Sequence, residues 1–138
     1  VTSGTPLEFG TGDFAITQVF MNASALWAQN GGLGLGTDTS GNYALNINSV
    51  GRVVIPEMNP GAWHALTARG AAMDLITDWG QSATGPTNTS AVITTAGGGN
   101  VVTLCTQGNM AEVVAVKGKL SDADRTSLMA YLKAKYRL

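Results

Sequence analysis

From Asp13 onward, short apolar runs alternate with clusters of Gly, Asn, Asp and Pro. The runs recur roughly every 8–12 residues, a pattern that predicts a β-sandwich or barrel. "DFAITQVFM" (13–21) reads as a first strand, rich in β-branched and aromatic residues. "ALWAQ" (25–29) reads as a second, ended by Asn30-Gly31-Gly32. "YALNINS" (43–49) alternates, with Leu45 and Ile47 on one face and Asn46 and Asn48 on the other. One face of that strand belongs to the core and one to water. "GRVVIP" (51–56), "AWHALTAR" (62–69) and "AMDLITDW" (72–79) follow. "GQSATGPTNTS" (80–90) reads as a loop, and "AVITT" (91–95), "NVVTLCT" (100–106) and "MAEVVAVK" (110–117) complete the strands.

The period changes after Leu120. "SDADRTSLMAYLKAKY" has neither Gly nor Pro and predicts an α-helix over about 121–136. Ser121 with Asp124 is a variant capping box, and Asp122 and Asp124 sit at the positive helix end. Lys133, Lys135 and Arg137 crowd the negative end. Leu128, Leu132 and either Tyr131 or Tyr136 make an apolar stripe at helical spacing. The helix is expected to close one end or edge of the sandwich, protecting that edge from further pairing. The whole chain, 1–138, is expected to be one domain.

Composition narrows the function classes. Charged residues make up only 12% of the chain and the net charge is −1, which argues against binding driven by phosphate neutralisation. The charge is uneven. Arg52 and Arg69 are the only basic residues before position 117, whereas Lys117, Lys119, Arg125, Lys133, Lys135 and Arg137 follow within the last 22. A solvated helix face accounts for this; the sharper alternative is a patch for an acidic partner. The single cysteine, Cys105, excludes an internal disulfide and reads as a buried, inert thiol. No signal-like segment or long apolar span is seen. The opening Val1 fits a product complete after loss of its first Met.

Candidate chemistry is sparse. His64, in "PGAWHALTARG" (60–70), is the sole histidine, so a zinc site or Ser-His-Asp triad has little to draw on. It is expected to make a structural hydrogen bond. On its strand Trp63 and His64 point to opposite faces, with Trp63 inside. Asp74 and Asp78 share a strand and a face beside Trp79, and are expected to be solvated rather than a glycosidase pair. "TDTSGN" (37–42) reads as a hairpin rather than a calcium loop, and "GGLGLG" (31–36) lacks the context of a phosphate cradle. Asn22-Ala23-Ser24 and Asn88-Thr89-Ser90 match the glycosylation pattern by chance. Trp27, Trp79, Tyr43 and Trp63 are the aromatics that could stack on a sugar if exposed.

Two stretches carry a family resemblance, and a third fits it. "GAWHALTARG" is similar to the Trp-His strand of concanavalin A-like and laminin-G-like jelly rolls. "NMAEVVAVKGKLSDADRTSLMAYLKAKYRL" (109–138) resembles the closing strand and helix of that family, and "GDFAITQVF" its opening core strand. "AMDLITDWG" stands where the hairpin strand after the Trp-His strand would be. The likeness runs over roughly residues 9 to 138. It implies a two-sheet antiparallel jelly-roll sandwich with a short C-terminal helix. The paired acidic strand of the hydrolytic members and their calcium ligands are missing. Among small jelly rolls with this ending, the chain most resembles tailed-bacteriophage head decoration (cement) proteins. That resemblance implies a non-enzymatic virion component, made in the host cytoplasm and placed on the capsid exterior. Its partner would be the major capsid protein, with self-association as a dimer or trimer. No cofactor, metal, nucleic acid or membrane is implied, and no catalytic or binding residue is assigned. The alternative is a lectin-like carbohydrate-binding module, for example of a phage tail or fibre.

Overall fold

A computed structural model describes residues 8–10, 13–21, 33–37, 40–47, 51–56, 61–70, 73–85, 93–94, 102–103 and 109–138. Among the described residues eleven strands precede one helix: β1 (Glu8–Gly10), β2 (Phe14–Met21), β3 (Leu33–Thr37), β4 (Asn42–Ile47), β5 (Gly51–Pro56), β6 (Trp63–Arg69), β7 (Asp74–Thr77), β8 (Ser82–Thr84), β9 (Ile93–Thr94), β10 (Val102–Thr103), β11 (Asn109–Lys117) and α1 (Asp122–Tyr136). A five-stranded sheet has the order β11-β2-β6-β7-β8, a four-stranded sheet the order β10-β3-β4-β5, and β1 pairs with β9. The chain is an all-β sandwich with a C-terminal helix. Its ladders are antiparallel except β10 against β3, which run parallel.

Strand β2 explains the layering. All of Phe14 to Phe20 is buried, so both of its faces are covered. Phe14, Ile16 and Phe20 point inward with Leu66, Ala68 and Leu75 of the same sheet. There they meet Leu35, Tyr43, Leu45, Val53 and Ile55 of the second sheet. Gln18 shares that inner face, and its Nε2 donates to the Leu35 carbonyl at 3.4 Å, a polar tie between the sheets. Val19, from the opposite face of β2, packs with Ala65 of β6 and Leu132 of α1. Trp63, Leu128, Met129 and Tyr136 close that outer layer.

The helix therefore lies on the outer face of the five-stranded sheet, not at an end or edge of the sandwich. A sheet apolar on both faces needs a second cover, and the helix stripe supplies it. Tyr136 belongs to that stripe; Tyr131 does not, being half exposed. The capping box forms in a shortened version. Ser121 Oγ accepts from the Asp124 amide at 3.1 Å and donates to Asp124 Oδ2 at 2.6 Å. Asp is one methylene shorter than the usual Glu, and its carboxylate meets the serine hydroxyl.

Other expectations shift. The glycine-rich run 33–37 is a strand that the pattern of apolar runs did not mark: Leu35 enters the core while Gly36 is buried on the other face. Part of the expected 80–90 loop is β8, whose Ala83 packs on the core. The expected strand 72–79 is shortened to β7, because Asp78 and Trp79 turn away. The expected strand 25–29, Trp27, Cys105 and both glycosylation matches lie outside the described residues. Gly70 is required by close approach, since a Cβ there would enter the Phe14 ring.

Truncating Leu132 to Ala removes the buried centre of the helix–sheet layer. Urea unfolding should show a loss of about 3 kcal/mol, within the usual range for a buried leucine.

Candidate functional site

His64 sits where β6 faces the second sheet. It is 6% exposed and is paired across the ladder with Phe20, so it shares the inner face. Trp63, one residue earlier, is half-buried under the helix. The two do point to opposite faces, but Trp63 occupies the outer layer and His64 the margin of the sandwich core. Alternation forces this: once Phe20 is inward, its partner His64 is too.

The expected structural hydrogen bond is present. His64 Nδ1 lies 3.3 Å from Asp78 Oδ1, and the same oxygen accepts from the Ala65 amide at 3.0 Å. The Asp78 amide donates back to the Ala65 carbonyl at 3.0 Å. Asp78 thus serves β6 as a strand neighbour after β7 has ended. The turn beyond it is closed by the Gly80 amide on the Thr77 carbonyl, at 3.0 Å. Gly80 has φ +88°, a left-handed conformation that favours glycine. Trp79, at the turn's tip, packs edge-on to His64 at 5.0 Å and tilted to Tyr43 at 5.5 Å between ring centroids. The imidazole is walled by aromatic rings and held by the carboxylate that also holds the turn.

Asp74 and Asp78 are not a solvated pair on one face. Asp78 belongs to the turn. Asp74 is 5% exposed on the outer face, opposite Arg69 in the β6–β7 ladder. Arg69 Nε donates to both Asp74 oxygens, at 2.9 and 2.8 Å, and one terminal nitrogen adds a further short contact to Oδ2. The other reaches the Leu120 carbonyl at 3.2 Å and Asp122 Oδ1 at 2.7 Å. Asp74 above all, with help from Asp122, raises the Arg69 pKa further above its ordinary value. The same hydrogen bond holds the Asp122 carboxyl below its ordinary value. At the other end of α1, Lys135 Nζ is 3.0 Å and the Tyr136 hydroxyl 2.9 Å from Glu112 Oε2 on β11. Lys135 and then Tyr136 lower the Glu112 pKa, while contact with Tyr131 and then Glu112 raises that of Lys135.

One open groove, of about 320 Å³, separates the 77–80 turn from the helix. Asp78, Trp79, Arg125, Met129 and Lys133 are among its walls. Arg125 and Lys133 carry no binding motif in sequence; the basic excess after position 117 pointed towards both, and the helix-end charge pattern towards Lys133. Of the four aromatics considered for sugar stacking, Tyr43 is fully buried, Trp63 is half-covered by the helix, and Trp79 lines this groove. Among the described residues no three His, Cys, Asp or Glu side chains gather as a metal site would need, and no helix is long and apolar enough to cross a membrane.

Arg69→Met leaves Asp74 buried without its cation and should cost about 3 kcal/mol in urea unfolding at neutral pH. Asp122→Asn tests the exposed arm through pH. The folded pKa of Asp122 is depressed, so its contribution is full above the ordinary value of 3.8 and lost as pH falls through the folded value. The Tm difference between wild type and Asp122→Asn should be present at neutral pH and shrink progressively as pH falls below 3.8. Asp78→Ala strands the buried Ala65 amide and should cost about 1–3 kcal/mol, whereas Asp78→Asn, which keeps an acceptor, should recover most of it.

Compared with known proteins, the chain matches no family model, no curated sequence and no solved structure.

Proposed function

We propose that this chain is a structural virion component, a decoration protein that self-associates and binds the outer surface of a bacteriophage head, bridging capsid subunits. One observation carries the reading: among the described residues, the polar groups inside the sandwich are spent on holding it together, while apolar surface stays open on one long edge. Strand β11 has nine residues and pairs, among the described residues, with β2 alone. On it Met110 and Val113 are 39% and 40% exposed. Val113 lies across from Gln18 and so projects from the inner side of the sheet.

Such an edge invites strand addition. The occupant we assign to it is a second copy of the chain. Between Glu112 and Lys117 the strand carries no charge, so two copies can lie antiparallel with Val113 and Ala115 facing their counterparts and no like charges opposed. Repetition over a capsid lattice then turns modest single contacts into firm attachment. The His64–Asp78 pair supports the same reading, because its ring is enclosed by Tyr43 and Trp79 and its carboxylate is occupied by backbone.

Two measurements test this. Wild-type chain should co-sediment with heads of its own phage assembled without it and should run as a dimer or larger in analytical ultracentrifugation. Val113→Lys, at an exposed position, should keep its Tm within a few degrees and lose the association. A chain that stays monomeric and remains in the supernatant at saturating concentration overturns the proposal.

A further inference from the structure

The groove between the 77–80 turn and α1 holds a cation whose nearest carboxylate is already taken. Arg125 is three-quarters buried, and its Nε is shielded from solvent with no hydrogen-bond partner among the described residues. Asp122 Oδ1 comes only to 4.0 Å from it, while the same oxygen receives Arg69 at 2.7 Å. Asp78, the acid in the groove wall, has Oδ1 committed to the Ala65 amide and His64. The exposed quarter of the side chain lies away from Nε, and a carboxylate entering the groove would meet the poorly paired guanidinium there as its charge partner.

Lys133 lines the same groove, eight residues along the helix. At 1.5 Å per residue, the backbone positions of the two cations are about 12 Å apart. An extended peptide advances about 3.3 Å per residue, so residues i and i+4 span nearly that distance and lie on one face. Between the cations the wall is mostly apolar, formed by Met129, Ala130 and the Trp79 indole, with Thr126 giving its hydroxyl to the Asp122 carbonyl. We infer that this groove docks an extended acidic peptide segment of a partner protein, with two carboxylates four residues apart and an apolar residue midway between them on the same face. Arg125 takes one carboxylate and Lys133 the other, and Trp79 and Met129 receive the side chain midway between them. The inference concerns the chemistry of the partner alone, and it stands whether or not that partner is a capsid subunit.

The test is a titration of ¹⁵N-labelled full chain with the peptide acetyl-Glu-Ser-Leu-Ser-Glu-amide, beside its Gln-for-Glu counterpart. The expected result is a saturable shift of the Arg125 Nε–H and Trp79 indole N–H resonances with the acidic peptide and none with the neutral one. Affinity should weaken at least tenfold in Arg125→Gln and, separately, in Lys133→Gln, and it should fall as salt rises. Lys133 is exposed, so its variant remains informative if Arg125→Gln unfolds. A flat titration overturns the inference, as does binding that both variants retain. Trigalacturonate shifting the same resonances when the peptide does not would also overturn it, in favour of an acidic sugar. Because phage heads are not used, failure here leaves the capsid reading intact, and failure of the sedimentation test leaves this one intact.

Discussion

Arg69 is the side chain on which the arrangement of layers depends. Its guanidinium forks onto Asp74 in the neighbouring strand, then reaches the Leu120 carbonyl and Asp122 at the start of the helix. These bonds fix the point at which the chain leaves the sheet and begins to cover it. The helix then falls across β2 and β6, where Val19 and Ala65 receive Leu132. At its far end Lys135 and Tyr136 bind Glu112 on β11. The helix is thus pinned by charge at both ends and by apolar packing in the middle. Exposed ion pairs alone would contribute little. The Arg69–Asp74 pair differs because Asp74 is buried and the fork is bidentate.

The same commitment shapes the surface. Asp122 has given its oxygen to Arg69, which leaves Arg125 as an under-bonded cation beside the turn. That turn is rigid for its own reasons: Asp78 hydrogen-bonds the β6 backbone, and Trp79 leans on His64 and Tyr43. A groove with one rigid wall and one pinned helix can present charge at a fixed spacing. Electrostatic selectivity needs such spacing more than it needs total charge.

Much of this was legible in the chain. The strands from Phe14, Asn42, Gly51, Trp63 and Asn109 announce themselves by β-branched and aromatic runs bounded by turn residues. The helix is written in its cap, its charges and its Leu128–Leu132 stripe. The strand at Leu33–Thr37 was not legible, since alternating glycine reads as turn until a partner strand supplies the hydrogen bonds. Nor was the end of β7, because Asp78 looks like a strand residue until Ala65 is known to lie beside it. The short-range pattern at His64 revealed two faces but not which was inner, for the Phe20 partner that decides the matter is 44 residues away.

By itself the sequence determined which segments extend, where the helix starts, and that one histidine and one cysteine leave little for metal or triad chemistry. Those properties are local: they follow from backbone preference, capping and residue inventory. Tertiary structure decided which face of the sheet the helix covers, that Arg69 outcompetes Arg125 for Asp122, and that Trp79 forms a wall and Tyr43 does not. Each of these is a contest between groups distant in sequence for one neighbour in space. Periodicity names the contestants, but only the packed chain brings them within bonding distance.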